Sequence, residues 1–445
     1  MLKLDSPADR RSARSSQTPE EPEVGGTQPL PRFGVALFDQ SRDSGWACLA
    51  GGEPFRFPTP GDLASDSIWI CGCDWDEYNL RWKRFHHLRR ADYLAKLTQI
   101  AEDLGVRADG QGRFGSMAQR AAAQISVVIH RAMVIASQVY GWKSPPQQLR
   151  DETLIEDLRR HLVEQVAPPA VKQHLRGALA SAFQTYSSVT NPPFQSVMVP
   201  LRFNRLEHAQ RVLGTRVPDS AWVYSSCDTN PDWRLSLEQA LDPDRPCIVN
   251  ATVDFGGRDP AISNLCAFGS QPGKRSVLRT WISQPELAWL SRHAHVQITG
   301  AWRASGSFEL PRKAVLPPIL TSDPLWALSL SAGLVAEAHW RALVHDPYKP
   351  SVEGKKDISV WAVWLRAADR ALCFEAALKA HNAGLNVIGY GNGGISVSVQ
   401  RDLVAQDLPR VLDFAMENDF AHPAFRPIFE EHGLVGAEDD EGGFR

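Results

Sequence analysis

Cys247-Ile-Val-Asn-Ala-Thr-Val-Asp254-Phe255-Gly256-Gly257 ends an apolar, β-branched run on a carboxylate and then on two glycines. A strand end of this kind can hold Asp254 on a rigid edge, where an oxygen-seeking Mg²⁺ ion would find it. The plainer reading of the same residues is an aspartate that opens a turn, with Gly-Gly as turn punctuation. A second chemically dense stretch is Leu80-Arg81-Trp82-Lys83-Arg84-Phe85-His86-His87-Leu88-Arg89-Arg90. Its cations Arg81, Lys83, Arg84, Arg89 and Arg90 could neutralise phosphates while Trp82 and Phe85 stack on bases. The competing reading is a solvated helix face whose rings turn inward.

Three further groups carry less. His293 and His295 flank an alanine, and on a strand they would share a face. That resembles the metal-holding histidines of replication nickases, but no tyrosine on a following helix accompanies them. Gly269-Ser-Gln-Pro-Gly273-Lys274-Arg275-Ser276 imitates a phosphate loop, yet Arg275 interrupts the Lys-Ser pair and the glycines are too close. Lys274, Arg275 and Arg279 are then expected to form a basic strand edge. Cys71-Gly-Cys73-Asp74-Trp-Asp76-Glu77 lacks a second cysteine pair at zinc-site spacing and reads as a structural loop. Asp39, Asp74 and Asp76 near the opening strands do resemble the carboxylate set of RNase H-like nucleases. Such a nuclease would use Mg²⁺, with Asp254 as a further candidate ligand.

The elements that must position these residues fall into blocks. Residues 1–32 are rich in Ser, Pro, Glu and Arg and poor in large apolar side chains, so a disordered tail is expected. Residues 33–190 read as an N-terminal α+β unit. It comprises a hairpin from Phe33 to Ala50, a strand at Ser67–Cys71, and helical periodicity through 93–140 and 157–183. Pro, Asp, Asn and Ser cluster in 191–246, which predicts a connecting region. Residues 247–430 give a strand-rich start and then helices at 325–344 and 359–383. A hairpin about Gly391-Asn392-Gly393-Gly394 and a helix at 405–418 follow, and 431–445 is an acidic tail.

The strand ending in Asp254, taken with the helix and hairpin from Asp369 to Val399, resembles the palm of family B DNA polymerases. Those enzymes carry Asp-Phe-x-x-x-Tyr-Pro-x-Ile in one motif, which Asp254, Phe255, Pro260 and Ile262 match in part. Their second motif, Tyr-Gly-Asp-Thr-Asp, corresponds to Tyr390-Gly391-Asn392-Gly393-Gly394. The resemblance implies an antiparallel palm-like sheet with helices, following the strand-rich and helical N-terminal unit, in a mixed α/β (α+β) protein. It also implies loss of polymerase chemistry, because Asn392 and Gly394 cannot supply the carboxylates that hold two metal ions.

Composition bounds the rest. With 48 Lys+Arg against 51 Asp+Glu the net charge is -3, so a nucleic-acid surface has to be local. The 7 cysteines are odd in number and lie mostly in apolar stretches, which suits a reducing cytoplasm. No apolar run is long enough to span a membrane, and no hydrophobic leader is expected. The expectation is a nucleic-acid-binding, catalytically degenerate polymerase-like factor in replication or maintenance of a mobile element. Its partners would be DNA or RNA and other proteins of a replication complex. A metal-dependent nuclease and a protein-only assembly subunit are the alternatives.

Overall fold

The first strand, Arg32–Phe38 (β1), is apolar at nearly every position and buried on both faces, as a strand inside a covered sheet must be. It pairs antiparallel with Gly45–Leu49 (β2), the expected hairpin, and parallel with Ser67–Gly72 (β4). Phe55–Phe57 (β3) extends β2, and Leu88–Arg90 (β5) lies parallel to β4, giving the order β3-β2-β1-β4-β5. The structure, a computed structural model, describes residues 31–39, 43–72, 78–90, 97–106, 114–140, 168–179, 196–219, 221–255, 262, 265, 277–309, 330–337, 348–350 and 356–420.

Helical periodicity is realised as Leu97–Asp103 (α1), Ala118–Tyr140 (α2) and Pro169–Leu179 (α3). Pro169 starts α3, where a missing N–H costs nothing, so the Pro-Pro pair marks a beginning and not only a break. Ile125, Val128, Ile129 and Met133 of α2 share one core with Phe33, Val35 and Ile70. On the other side of the sheet Phe57, Leu63, Trp69, Trp82 and Leu88 form a separate aromatic cluster.

Residues 191–246, expected to connect two domains, instead supply strands to the sheets. Ser196–Arg202 (β6) pairs with a C-terminal strand, and Val217–Pro218 (β7) pairs with Ser307–Phe308 (β12). Trp222–Ser226 (β8) is the edge of a four-stranded antiparallel sheet with Cys247–Asp254 (β9), Val277–Ser283 (β10) and His295–Ala304 (β11), in the order β10-β9-β11-β8. Between them lie Arg205–Leu213 (α4), Leu237–Ala240 (α5) and Gln284–His293 (α6). Pro and Asp mark real turns here, but β-branched and aromatic residues between the turns pair with partners far along the chain. Pro31–Arg445 is accordingly one compact unit.

Tyr348–Pro350 (β13) and Lys356–Ile358 (β14) lead into Val360–Asn382 (α7), capped by the Ser359 hydroxyl, which accepts from the Ala362 amide. This helix is apolar nearly all round, and a helix of that composition belongs inside. Trp361 and Trp364 join the core beneath α2, while Cys373 and Phe374 join the core of the four-stranded sheet. Val387–Tyr390 (β15) and Gly394–Gln400 (β16) form the expected hairpin, to which β6 adds a third strand, and Val404–Glu417 (α8) closes the order. The chain is thus a mixed α/β protein of several antiparallel sheets and helices, as its sequence pattern implies.

Ile70 of β4 is fully buried in the core that the N-terminal sheet shares with α2. Ile70→Ala is expected to lower stability by about 2–5 kcal/mol, read as a shift of the urea midpoint at unchanged slope.

Candidate nucleic-acid interface

The basic run does not form the stacking surface that its composition suggests. Trp82 is fully buried and lies flat on Phe38, with ring centroids 4.5 Å apart. The cost of leaving so large an apolar ring in water outweighs its use as a platform, so the inward reading holds for Trp82. Arg81 pairs with Asp43 at 2.9 Å, and the Arg89 guanidinium turns back onto the carbonyls of His86 and Leu88. Arg84 lies over the Phe85 ring, and both Lys83 and Arg84 are exposed, whereas Arg89 and Arg90 are half-buried. What remains at the surface is a short basic edge at Lys83 and Arg84.

The four-stranded sheet gathers polar residues instead. Register places His295 opposite Asp254, and on the same face Gln297 and Arg279 flank Thr252. Side chains directly opposite in antiparallel strands share a face, so these five form two adjacent rows. Arg279, His295 and Gln297 are exposed, and Thr252 and Asp254 are half-buried. Alternate residues Ala251, Val253 and Ile282 pack inward, which explains why this end of the other face is left to polar groups.

Farther along the same face the residues become aromatic and α3 covers them. His174 stacks on Trp281 at 4.1 Å and its Nδ1 accepts from the Trp302 indole at 2.7 Å. Burial holds this imidazole below its ordinary value, in keeping with a ring that accepts at Nδ1 and is therefore neutral. His293, by contrast, lies in the last turn of α6 with its ring 5.0 Å from Trp289, so the two histidines do not share a strand face. Lys274, Arg275, Asp74 and Asp76 lie outside the described residues. Asp39 accepts from Arg56 and from the Ser44 hydroxyl.

Asp254 and the Gly391–Gly394 turn belong to different sheets, although β9 and β15 border one core. The turn runs through left-handed backbone at Gly391 (φ 119), Asn392 (φ 53) and Gly393 (φ 80), a conformation glycine tolerates and asparagine adopts more readily than most. Its amides point to a carboxylate absent from the sequence motifs: Asn392 and Gly393 donate to Asp369 at 2.8 and 2.9 Å. His208 Nε2 also donates to Asp369, at 2.8 Å, and Cys373 Sγ lies 3.5 Å from the same oxygen. Asp369 is almost wholly buried. Burial alone would raise its carboxyl, but the hydrogen bond and charge of His208 and the two turn amides hold it below its ordinary 3.8. A carboxylate in the apolar run of α7 was the available sequence signal for this node. His208, 161 residues away, had none.

No family model and no curated protein matches the chain. Among solved structures it is similar to Phi29 DNA polymerase complexed with primer-template DNA and incoming nucleotide substrates, at 9% identity and a TM-score of 0.41. The post-translocation binary complex of that polymerase gives 10% and 0.44, and its complex with single-stranded DNA 10% and 0.43. Each alignment covers 85% of this chain and 82% of the other. The likeness to this family B polymerase is weak.

Removing the Asp369 carboxylate leaves His208 and two turn amides buried without their acceptor, so Asp369→Ala is expected to cost about 3–5 kcal/mol of unfolding free energy. Because the folded carboxyl titrates below the unfolded value of 3.8, its contribution is complete above that pH and is lost as pH falls through the folded value. Urea unfolding at descending pH should show the wild type losing stability below pH 3.8 more steeply than the variant.

Proposed function

We propose that this protein binds nucleic acid through the polar end of its four-stranded sheet, as a polymerase-like factor that has lost two-metal polymerase chemistry. The observation that carries this reading is the pair of cross-strand rows Asp254–His295 and Arg279–Thr252–Gln297 on an antiparallel sheet, in which Arg279, His295 and Gln297 are exposed. Such a face offers a cation for phosphate and amide, imidazole and hydroxyl groups for base edges and sugars. Lys274 and Arg275 precede β10 in sequence and lie outside the described residues. Lys83 and Arg84 are a second exposed basic edge.

The turn supports the reading that two-metal polymerase chemistry is lost. Asn392 and Gly394 offer no carboxylate, and Asp369, the acidic side chain bonded to the turn, is buried and shared by His208 and two amides. Two Mg²⁺ ions need several hard oxygen ligands converging on open space.

Fluorescence anisotropy with labelled single-stranded and duplex oligonucleotides tests the binding role. Affinity should fall linearly in log-log form as salt rises, and Arg279→Glu should weaken binding about tenfold. Binding that ignores both salt and the charge at Arg279 would reject this reading.

A second reading, a metal-dependent nuclease, is favoured by the N-terminal sheet. With β4 parallel to β1, the carboxyl ends of the two strands are neighbours, and ligands of α/β sheets favour such ends. Asp39 follows β1, and Asp74 follows β4 in sequence. Under this reading Mg²⁺-dependent cleavage of a labelled oligonucleotide disappears in Asp39→Ala. Cleavage in excess chelator would dismiss it.

A further inference from the structure

We propose that His208, Asp369 and Cys373 form a binding site for one zinc-type transition-metal ion. Among the described residues this is the one group of metal-ligating side chains whose donor atoms converge, all within 4.8 Å of one another. The donors are an imidazole nitrogen, a carboxylate oxygen and a sulfur. That mixture suits Zn²⁺ and excludes Mg²⁺ or Ca²⁺, which require a shell of oxygens.

Two helices build the site. Asp369 and Cys373 are four residues apart on α7 and so share one helical face. His208 comes from α4, whose first turn Asn204 fixes by accepting from the amides of Leu206 and Glu207. Phe203 stacks on the imidazole at 5.4 Å. On its other flank a Cβ at Gly393 would come within 3.2 Å of His208 Cδ2, so the glycine leaves room for the ring. The sulfur-to-oxygen separation of 3.5 Å lies within the spacing of donors around a tetrahedral metal, roughly 3.3–3.7 Å for bonds of 2.0–2.3 Å, and the nitrogen-to-oxygen separation of 2.8 Å is shorter, as a hydrogen bond is. Seating an ion would move the His208 nitrogen and the Asp369 oxygen apart.

Charge balance favours a metal. All three side chains are buried. A divalent ion with one carboxylate and one thiolate is neutral overall, and a neutral assembly avoids the cost of burying net charge. Ion binding would displace the thiol proton of Cys373 and the Nε2 proton of His208. The amides of Asn392 and Gly393 already hold the carboxylate in place, as outer groups do for metal ligands. Three protein donors leave a fourth tetrahedral position for a water molecule.

The test is metal content of the full-length chain purified after expression with added zinc, and again after exchange into cobalt. The expected result is about one zinc per chain, with a thiolate-to-cobalt charge-transfer band after exchange. His208→Gln keeps a hydrogen-bond donor for Asp369, and Cys373→Ser keeps the volume, so each should fold, shown by an unchanged circular-dichroism spectrum. Each should hold at least tenfold less zinc than the wild type and lose the cobalt band. A wild-type chain that stays metal-free in added zinc overturns the proposal, and so does zinc retained undiminished by both variants.

Discussion

A buried carboxylate has to be satisfied by neighbours, and the way Asp369 is satisfied constrains much of the surrounding structure. It sits in the middle of an apolar helix and accepts from an imidazole on α4 and from two backbone amides of the β15–β16 turn. One charge thereby ties together α7, α4 and a hairpin that are distant in sequence. It also makes the left-handed turn tenable, since amides that the strands cannot use are directed at a negative oxygen.

Around that node the helix α7 acts as a shared wall. Its first half, with Trp361 and Trp364, packs in the core beneath the N-terminal sheet, and its second half, with Cys373 and Phe374, packs against the core of the four-stranded sheet. A buried ion pair, Arg370 to Glu286 at 2.6 Å, couples the same helix to α6. With one face of the four-stranded sheet filled in this way and half of the other covered by α3, Arg279, His295 and Gln297 are the residues of the polar rows that are exposed among the described residues. The chemistry of those rows suits recognition, whereas the hairpin, whose amides are committed inward, serves architecture.

Local patterns were legible in the sequence and long-range pairings were not. The β1–β2 and β15–β16 hairpins, α7 and α8 follow from alternation, helical spacing and turn residues, which act within a few positions. Strands β6 and β8 were read as connecting region because Pro and Asp punctuate that stretch, while their partners β16 and β11 lie far downstream. Trp82 shows the same limit at a site. Interleaved arginines and rings suit a stacking surface equally well as a helical turn whose rings pack inward, and only the position of Phe38 decides between them. Asp254 and His295 were each legible as chemically capable residues, but their register as cross-strand neighbours was not.

The central claim, that nucleic acid lies on the open face of the four-stranded sheet, is tested most directly by ultraviolet cross-linking of the full-length chain to an oligonucleotide. Mass spectrometry of the digested complex then maps the attached peptides. The account predicts cross-links within β9, β10 and β11, around Thr252, Arg279 and Gln297. Cross-links confined to peptides elsewhere in the chain would contradict it.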